Sequence, residues 1–330
     1  MNVREMVRLF THIQLLPVLE SGEETTLIGG QAVMEGVMMR SPHSYCVAVR
    51  KANGELVTKE SPLPQLSEKY PIFKLPLFRG FGTLGGAMAL GMKALKFSAD
   101  CALEETRKAE AQPESPKDLS RGAMALQIAF SALFMIVLYK FLPLYLATQL
   151  GHHFTAVGGR FSINMMDGTL RIAIFLGFMF LLSKMKEMGR LFQYHGAEHK
   201  VVFNFESGQP VTVDNAQRFV TWHPRCGTSF LVVVLIVSAI GYAFLPIDNF
   251  WGKFAARIAL LPLIIGVSYE IVRFAAKRRG GLMSILTTPG LWLQRVTTKQ
   301  PSNEQTEVAI CALERAMQLE SSQGGELVIA

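Results

Sequence analysis

The sequence predicts a mainly α membrane protein, with about four transmembrane helices and a cytoplasmic α+β region containing a β-hairpin. Three observations lead there. Long apolar segments recur four times in a 330-residue chain that is 50% hydrophobic and only 18% charged. Lysines and arginines gather on alternate flanks of those segments, giving a net charge of +7. An Asn53-Gly54 pair stands between alternating residues, the strongest short-range hairpin signal. A soluble chain of this length would hold two average domains, but a mean hydropathy of +0.27 argues against that reading.

The first span is read from Ala123 to Tyr139, with Leu142 to Leu150 extending it into the interface. The second is Leu170 to Leu182, framed by Arg171 and Lys184; the third is Ser229 to Leu245; the fourth is Phe254 to Val272. Crossing a bilayer takes about 20 mostly apolar residues, so each is near the required length. Four recurrences weigh against buried core helices of a soluble protein.

Positive charge then orients the chain. Residues 1–121 carry 15 Lys and Arg, the 184–227 loop six, and the chain after Val272 seven, whereas the 148–168 and 246–253 loops carry one each. By the positive-inside rule both termini and the 184–227 loop are cytoplasmic. The expected divisions are a cytoplasmic N-terminal region 1–121, a four-span membrane domain 122–272 and a C-terminal tail 273–330. The reading is a multi-pass protein of the inner (plasma) membrane whose first partner is the lipid bilayer. No nucleic-acid partner is expected, because the basic residues flank apolar segments and do not assemble into one basic-aromatic face.

Within 1–121, the opening residues MNVREMVRLFTHIQLLPVLE lack a signal-peptide cleavage pattern and suit a short interfacial amphipathic helix. Gly29 to Pro42 form a glycine-rich motif, 45–60 the hairpin, 78–102 a glycine-containing interfacial helix and 104–121 a charged linker with two prolines. Lys277-Arg278-Arg279 makes a basic turn, and Glu304 to Leu319 has apolar residues at helical spacing. Four scattered cysteines form no CxxC pair and no disulfide framework, which fits reduced thiols on a cytoplasmic face.

Chemistry concentrates in Tyr194-His-Gly-Ala-Glu-His-Lys200. His195 and His199 are four residues apart and share one helix face, where two imidazoles can grip a divalent ion. Glu198 beside them can act on water at such an ion. Chance gives a His pair at this spacing roughly 0.15 times per chain, and with the carboxylate roughly one time in a hundred. Gly196 weakens the helix between the ligands by about 1 kcal/mol.

A third ligand comes from Glu206, His223 or Cys226. Glu206 lies about 10 Å along the axis from His199, beyond reach in an unbroken helix. His223 and Cys226 close the same cytoplasmic loop, and Pro224 suits a first helical position, which puts Cys226 at a positive helix end. Two or three imidazoles, with or without the thiolate, make a catalytic site if one position stays open, while His195, His199, His223 and Cys226 together close a structural tetrahedron. In the glycine motif, Glu35 is a candidate ligand or general base and Arg40 an anion clamp, a role Arg225 can share. A buried Glu35–Arg pair at a strand and turn competes with that role. The 29–40 run is neither a GxGxxG nor a Walker pattern, so no nucleotide is inferred from it, and no Gly-x-Ser-x-Gly elbow occurs, which argues against a serine hydrolase of that class.

GGQAVMEGVMMRSP (29–42), YHGAEHKVV (194–202), HPRCGTSF (223–230) and TPGLWLQRVTT (288–298) together resemble the YqhQ-like bacterial integral membrane family, a domain-of-unknown-function family of predicted metal-dependent enzymes. The resemblance covers about residues 27–319, with Ser41 standing where many relatives have Gly. It implies a multi-span architecture and a metal, and the positions that match the family's motifs are Gln31, Glu35, Arg40, His195, Glu198, His199, His223, Arg225 and Cys226. Two functions follow as expectations. One is a metal-dependent hydrolase at the membrane surface using a divalent metal, zinc foremost. The other is a non-catalytic scaffold or accessory factor for secretion or membrane-protein biogenesis, associating with other membrane proteins or with itself.

Overall fold

The computed structural model describes residues 28–63, 70–110, 121–154, 158–223, 226–277 and 282–322. The expected N-terminal amphipathic helix and Arg225 lie outside these residues. The strands are β1 (Gly29–Val33), β2 (Gly36–Arg40), β3 (Ser44–Arg50) and β4 (Leu56–Pro62). The helices are α1 (Phe78–Glu110), α2 (Arg121–Ile136), α3 (Leu142–His153), α4 (Arg160–Ser183), α5 (Lys186–Glu206), α6 (Val213–Gln217), α7 (Gly227–Ala243), α8 (Phe250–Ala259), α9 (Leu261–Lys277), α10 (Leu282–Thr297) and α11 (Asn303–Ser322).

The four strands form one antiparallel sheet in chain order. Asn53-Gly54 produces the β3–β4 hairpin as expected: Arg50 pairs with Leu56, and Gly54 takes φ +86°, which its missing Cβ allows. The glycine motif is a second hairpin, with Gly29 opposite Arg40 and Val33 opposite Gly36. Its turn holds Glu35 at φ +52°, a left-handed conformation uncommon for that residue.

Both faces of the sheet are covered. Val37, Met39, Cys46 and Ala48 pack against Tyr194, Ala197 and Val201 of α5 and Val308, Ala312 and Leu313 of α11. Val33, Met38, Tyr45, Val47 and Val49 pack against Leu90, Ala94 and Cys101 of α1. β3 (SYCVAVR) is therefore apolar at consecutive positions, because alternate side chains meet different helices. Each fully buried Val, Leu or Met among them contributes about 1.5–3 kcal/mol. Near the end of α11, buried Glu320 accepts hydrogen bonds from Ser41 Oγ (2.6 Å) and the His43 amide (2.9 Å), pinning the helix to the β2–β3 turn.

Two helical runs are long and apolar enough to cross a membrane: Leu126–His153, which includes a π-helical turn at Val137–Phe141, and Arg160–Ser183. A third results if α8 and α9, bent by 48° at their junction, make one span; α7 is apolar but only 17 residues long. Leu126, Phe130, Leu181 and Ile240 are all more than half exposed on these helices, an apolar surface that suits lipid.

Three boundaries differ from the sequence reading. α4 begins at Arg160 and not near Leu170, because Asn164, Asp167 and Arg171 turn inward and are buried. The fourth apolar segment is two helices. α1 continues to Glu110, so part of the expected 104–121 linker is helical, and 111–120 lie outside the described residues.

Candidate metal centre

From Gly196 onward, α5 is buried on almost every side. The segment leaving α10 crosses it there: the Lys299 amide donates to the Phe192 carbonyl at 2.8 Å. A Cβ on Gly196 would lie 2.0 Å from the Lys299 carbonyl oxygen. The glycine that weakens the helix is thus the one residue that permits the crossing.

The crossing delivers a hydrogen-bond acceptor to the first histidine. His195 Nδ1 lies 2.8 Å from the Thr297 carbonyl, and His199 Nδ1 is equally engaged by the Thr221 carbonyl. A carbonyl can only accept, so both imidazoles carry their proton on Nδ1 and present an Nε2 lone pair. His195 Nε2 stands 3.3 Å from Cys226 Sγ. His199 Nε2 is buried and has no hydrogen-bond partner among the described residues. The three donor atoms of His195, His199 and Cys226 lie within 4.8 Å of one another. Tetrahedral coordination at ordinary zinc distances needs about 3.3–3.6 Å between donors, so a shift of about 1 Å closes the set. Two imidazoles and a thiolate favour zinc over magnesium or calcium.

His223 is not one of the three, although its ring centre lies 5.8 Å from that of His199. Its Nε2 lies 3.3 Å from Glu206 Oε2, its ring packs on Phe203, and its backbone is clamped on both sides by Gln294 (2.6 and 2.9 Å). Glu206 stays on an unbroken α5, so it partners His223 and does not approach His199.

Glu198 lies under the cluster, with Oε2 3.4 Å from His199 Nε2. Its burial raises the carboxyl pKa; the neighbouring histidines, the Gly30 amide and Arg40 pull the other way without cancelling it. Gly30 approaches so closely that a Cβ there would sit 2.5 Å from Glu198 Cγ. Burial likewise lowers the pKa of the Arg40 guanidinium, within electrostatic reach of Glu198. The glycine hairpin therefore serves the site through Gly30 and Arg40.

Glu35 is placed elsewhere. It forms a two-pronged ion pair with Arg190 (Nε to Oε1 2.6 Å) and accepts from Tyr194 at 3.3 Å. Arg190 precedes Glu198 by eight residues, about 12 Å along α5. The Glu35–Arg pairing weighed from the sequence is what forms, though partly exposed. Gln31 points toward Gly91 of α1. Thr221, Thr297 and Gln294 were not singled out from the sequence. The two threonines act through backbone carbonyls, which leave no side-chain signal, while Gln294 lies inside the 288–298 motif.

Burial also sets a pH response. It lowers the His199 pKa, outweighing the opposite pull of Cys226, and pushes that of His223 down to about 4, outweighing the attraction of Glu198. A base whose pKa falls on folding holds its proton better in the unfolded chain, so acidification favours unfolding. His223 should therefore withdraw up to about 3 kcal/mol between pH 6.5 and 4 and nothing above that window. Thermal unfolding of metal-free protein from pH 7 to 4 should show the decline, and His223→Gln should flatten it. Parallel curves for the two proteins would contradict this.

Comparison with known proteins agrees with the motifs. Residues 75–319 match a family described as "Protein of unknown function (DUF1385)". The uncharacterized protein YqhQ of Bacillus subtilis (strain 168) is 34% identical over 299 residues, which cover 89% of this chain and 93% of that protein. No solved structure matches. The family match begins after the glycine hairpin, whereas the relative covers most of the chain. On this evidence the chain belongs to the DUF1385 family.

Proposed function

We propose that the protein is an integral membrane metalloenzyme, a hydrolase acting at the cytoplasmic membrane surface on a membrane-proximal peptide or lipid-linked compound. The observation that carries this is the pair of Nδ1–carbonyl hydrogen bonds, which aim both Nε2 lone pairs toward the Cys226 thiol. Three protein donors leave the fourth position of a tetrahedron for substrate chemistry. A zinc ion held by them supplies Lewis acidity and activates water.

The chain's own groups do the rest. Glu198, whose pKa burial raises, moves the proton as general base and then acid. The Gly30 amide and the packing of β1 hold its carboxylate in place. Arg40 offsets negative charge developing beside it. The topology belongs to the same proposal: the two long helices, α7 and the bent α8–α9 pair make four spans, with both termini and the metal centre on the cytoplasmic side.

A second reading has its own observation. Glu198 is close enough to His199 Nε2 to become a fourth ligand, which would close the site and make the metal structural, as in a membrane scaffold or accessory factor for secretion or biogenesis. Glu198→Gln separates the two. In the enzyme it keeps metal and fold, and the loss of a product that wild-type protein releases from membrane extract, followed by mass spectrometry, is about a hundredfold or more. In the scaffold it sheds metal. Undiminished turnover in Glu198→Gln removes Glu198 from its role.

A further inference from the structure

Charge inside the helical bundle is unbalanced. Outside the flanking regions and the loops read from the sequence, three of the 33 Lys and Arg remain, Lys140, Arg171 and Arg257, all on the apolar helices, with buried Lys253 one turn before Arg257 on α8. They converge on Tyr242: Lys140 Nζ is 5.1 Å and the Arg171 and Arg257 guanidinium carbons 5.0 and 5.4 Å from the ring centre. One carboxylate faces them. Asp167 contacts Arg257 Nη1 at 3.0 Å, bent out of hydrogen-bond geometry, and also pairs with Arg171 Nη2. The other acid on these helices, Glu270, is committed to Arg79 at 2.6 Å.

The hydrogen bonding is equally lopsided. Arg171 Nη1 donates to Ser238 (3.1 Å), Arg257 Nη2 to Asn164 Oδ1 (2.9 Å) and Lys140 to the Tyr242 hydroxyl (3.3 Å). Arg171 Nε, Arg257 Nε and Asn164 Nδ2 are then buried donors with no acceptor among the described residues. Arg171 and Asp167 are at most 2% exposed and Arg257 not at all. Guanidinium groups do not shed their charge, and a buried excess of cations over anions is costly unless something neutralises it. The backbone is irregular at two of the cations: Lys140 sits in the π-helical turn, and Arg257 lies three residues before the 48° bend. Such interruptions are where packed helices admit a ligand.

We propose that this cluster is a binding site for a phosphate-type anion. Three cations against one carboxylate leave room for about two negative charges, and two guanidinium forks with free N–H groups match phosphate oxygens. Tyr242 lies sixteen residues from Cys226 along α7, about 24 Å, so this site is separate from the metal centre and independent of its chemistry. Its ligand is the phosphate of an anionic lipid headgroup or a soluble phosphate, chemically one class.

The full chain, delipidated in detergent and measured for thermal unfolding, tests this with inorganic phosphate against chloride, and after transfer to nanodiscs of phosphatidylglycerol against phosphatidylcholine. A gain of roughly 5 °C is expected in at least one comparison. A gain with inorganic phosphate identifies a soluble ligand, and a gain with phosphatidylglycerol alone identifies a lipid. Lys140→Met should remove the gain, and Asp167→Asn, which takes away the competing carboxylate, should bind the same anion about tenfold more tightly. If Lys140→Met does not fold, Asp167→Asn decides. A self-sufficient ion cluster gives the reverse result: no gain from either anion, and an Asp167→Asn protein that is destabilised and not rescued by phosphate. That result overturns the proposal.

Discussion

Cys226→Ala protein, purified in detergent and equilibrated with zinc, is expected to retain about a tenth or less of the metal held by wild type, because it loses one of three ligands. His195→Ala and His199→Ala should behave alike. His223→Ala should keep most of its metal, since Glu206 and Phe203 hold that ring away from the three donors. The fold should survive the cysteine change. Cys226 is half-buried, makes no side-chain cap to α7, and has Thr228 and His195 as its polar neighbours. Elemental analysis of the four variants is the measurement. Equal loss from His223→Ala would mean a closed four-ligand site, and unchanged metal in Cys226→Ala would remove the thiol from the centre.

Gly196→Ala is expected to be the most damaging small substitution near the site. One methyl group would lie 2.0 Å from the Lys299 carbonyl, a backbone atom that cannot swing aside. Relief requires moving the 298–302 segment off α5, which breaks the Lys299–Phe192 bond and withdraws the Thr297 carbonyl from His195. Overpacking of this kind costs about 3 kcal/mol, roughly 4–5 °C in Tm for a chain of this size. Metal retention should fall together with stability. Gly85→Ala is the control: a Cβ there meets nothing within 4 Å, and α1 should gain slightly in helix propensity. If both variants melted alike, the close crossing would not exist.

The parts legible in the sequence were those encoded in side chains near one another along the chain. His195, Glu198 and His199 declared themselves by helical spacing, and the β3–β4 hairpin by Asn53-Gly54. Cys226 was placed near them by loop length, yet nothing in the sequence separated it from His223; in the structure Cys226 Sγ falls within 4.8 Å of donor atoms of both histidines, and His223 Nε2 faces Glu206. The start of α4 was hidden because buried Asn164 and Asp167 read as polar and therefore as loop. Glu35 looked like a site residue because it is acidic and lies between glycines. Its ion pair with Arg190 depends on how β1 lies against α5, a long-range fact with no local signature. The carbonyls of Thr221 and Thr297 are invisible for a simpler reason, since every residue has one.

The three helices that cover the sheet come from residues 78–110, 186–206 and 303–322, with long apolar helices in between. During synthesis, the strands therefore leave the ribosome before all three covers and wait for the last of them until residue 322 has been made. Val37, Met39, Cys46 and Ala48 stay partly naked through that interval, a window in which aggregation competes with maturation. A stop codon near position 300 would make that window permanent, and such a product should be cleared by quality-control proteases even though every long apolar helix has already been made.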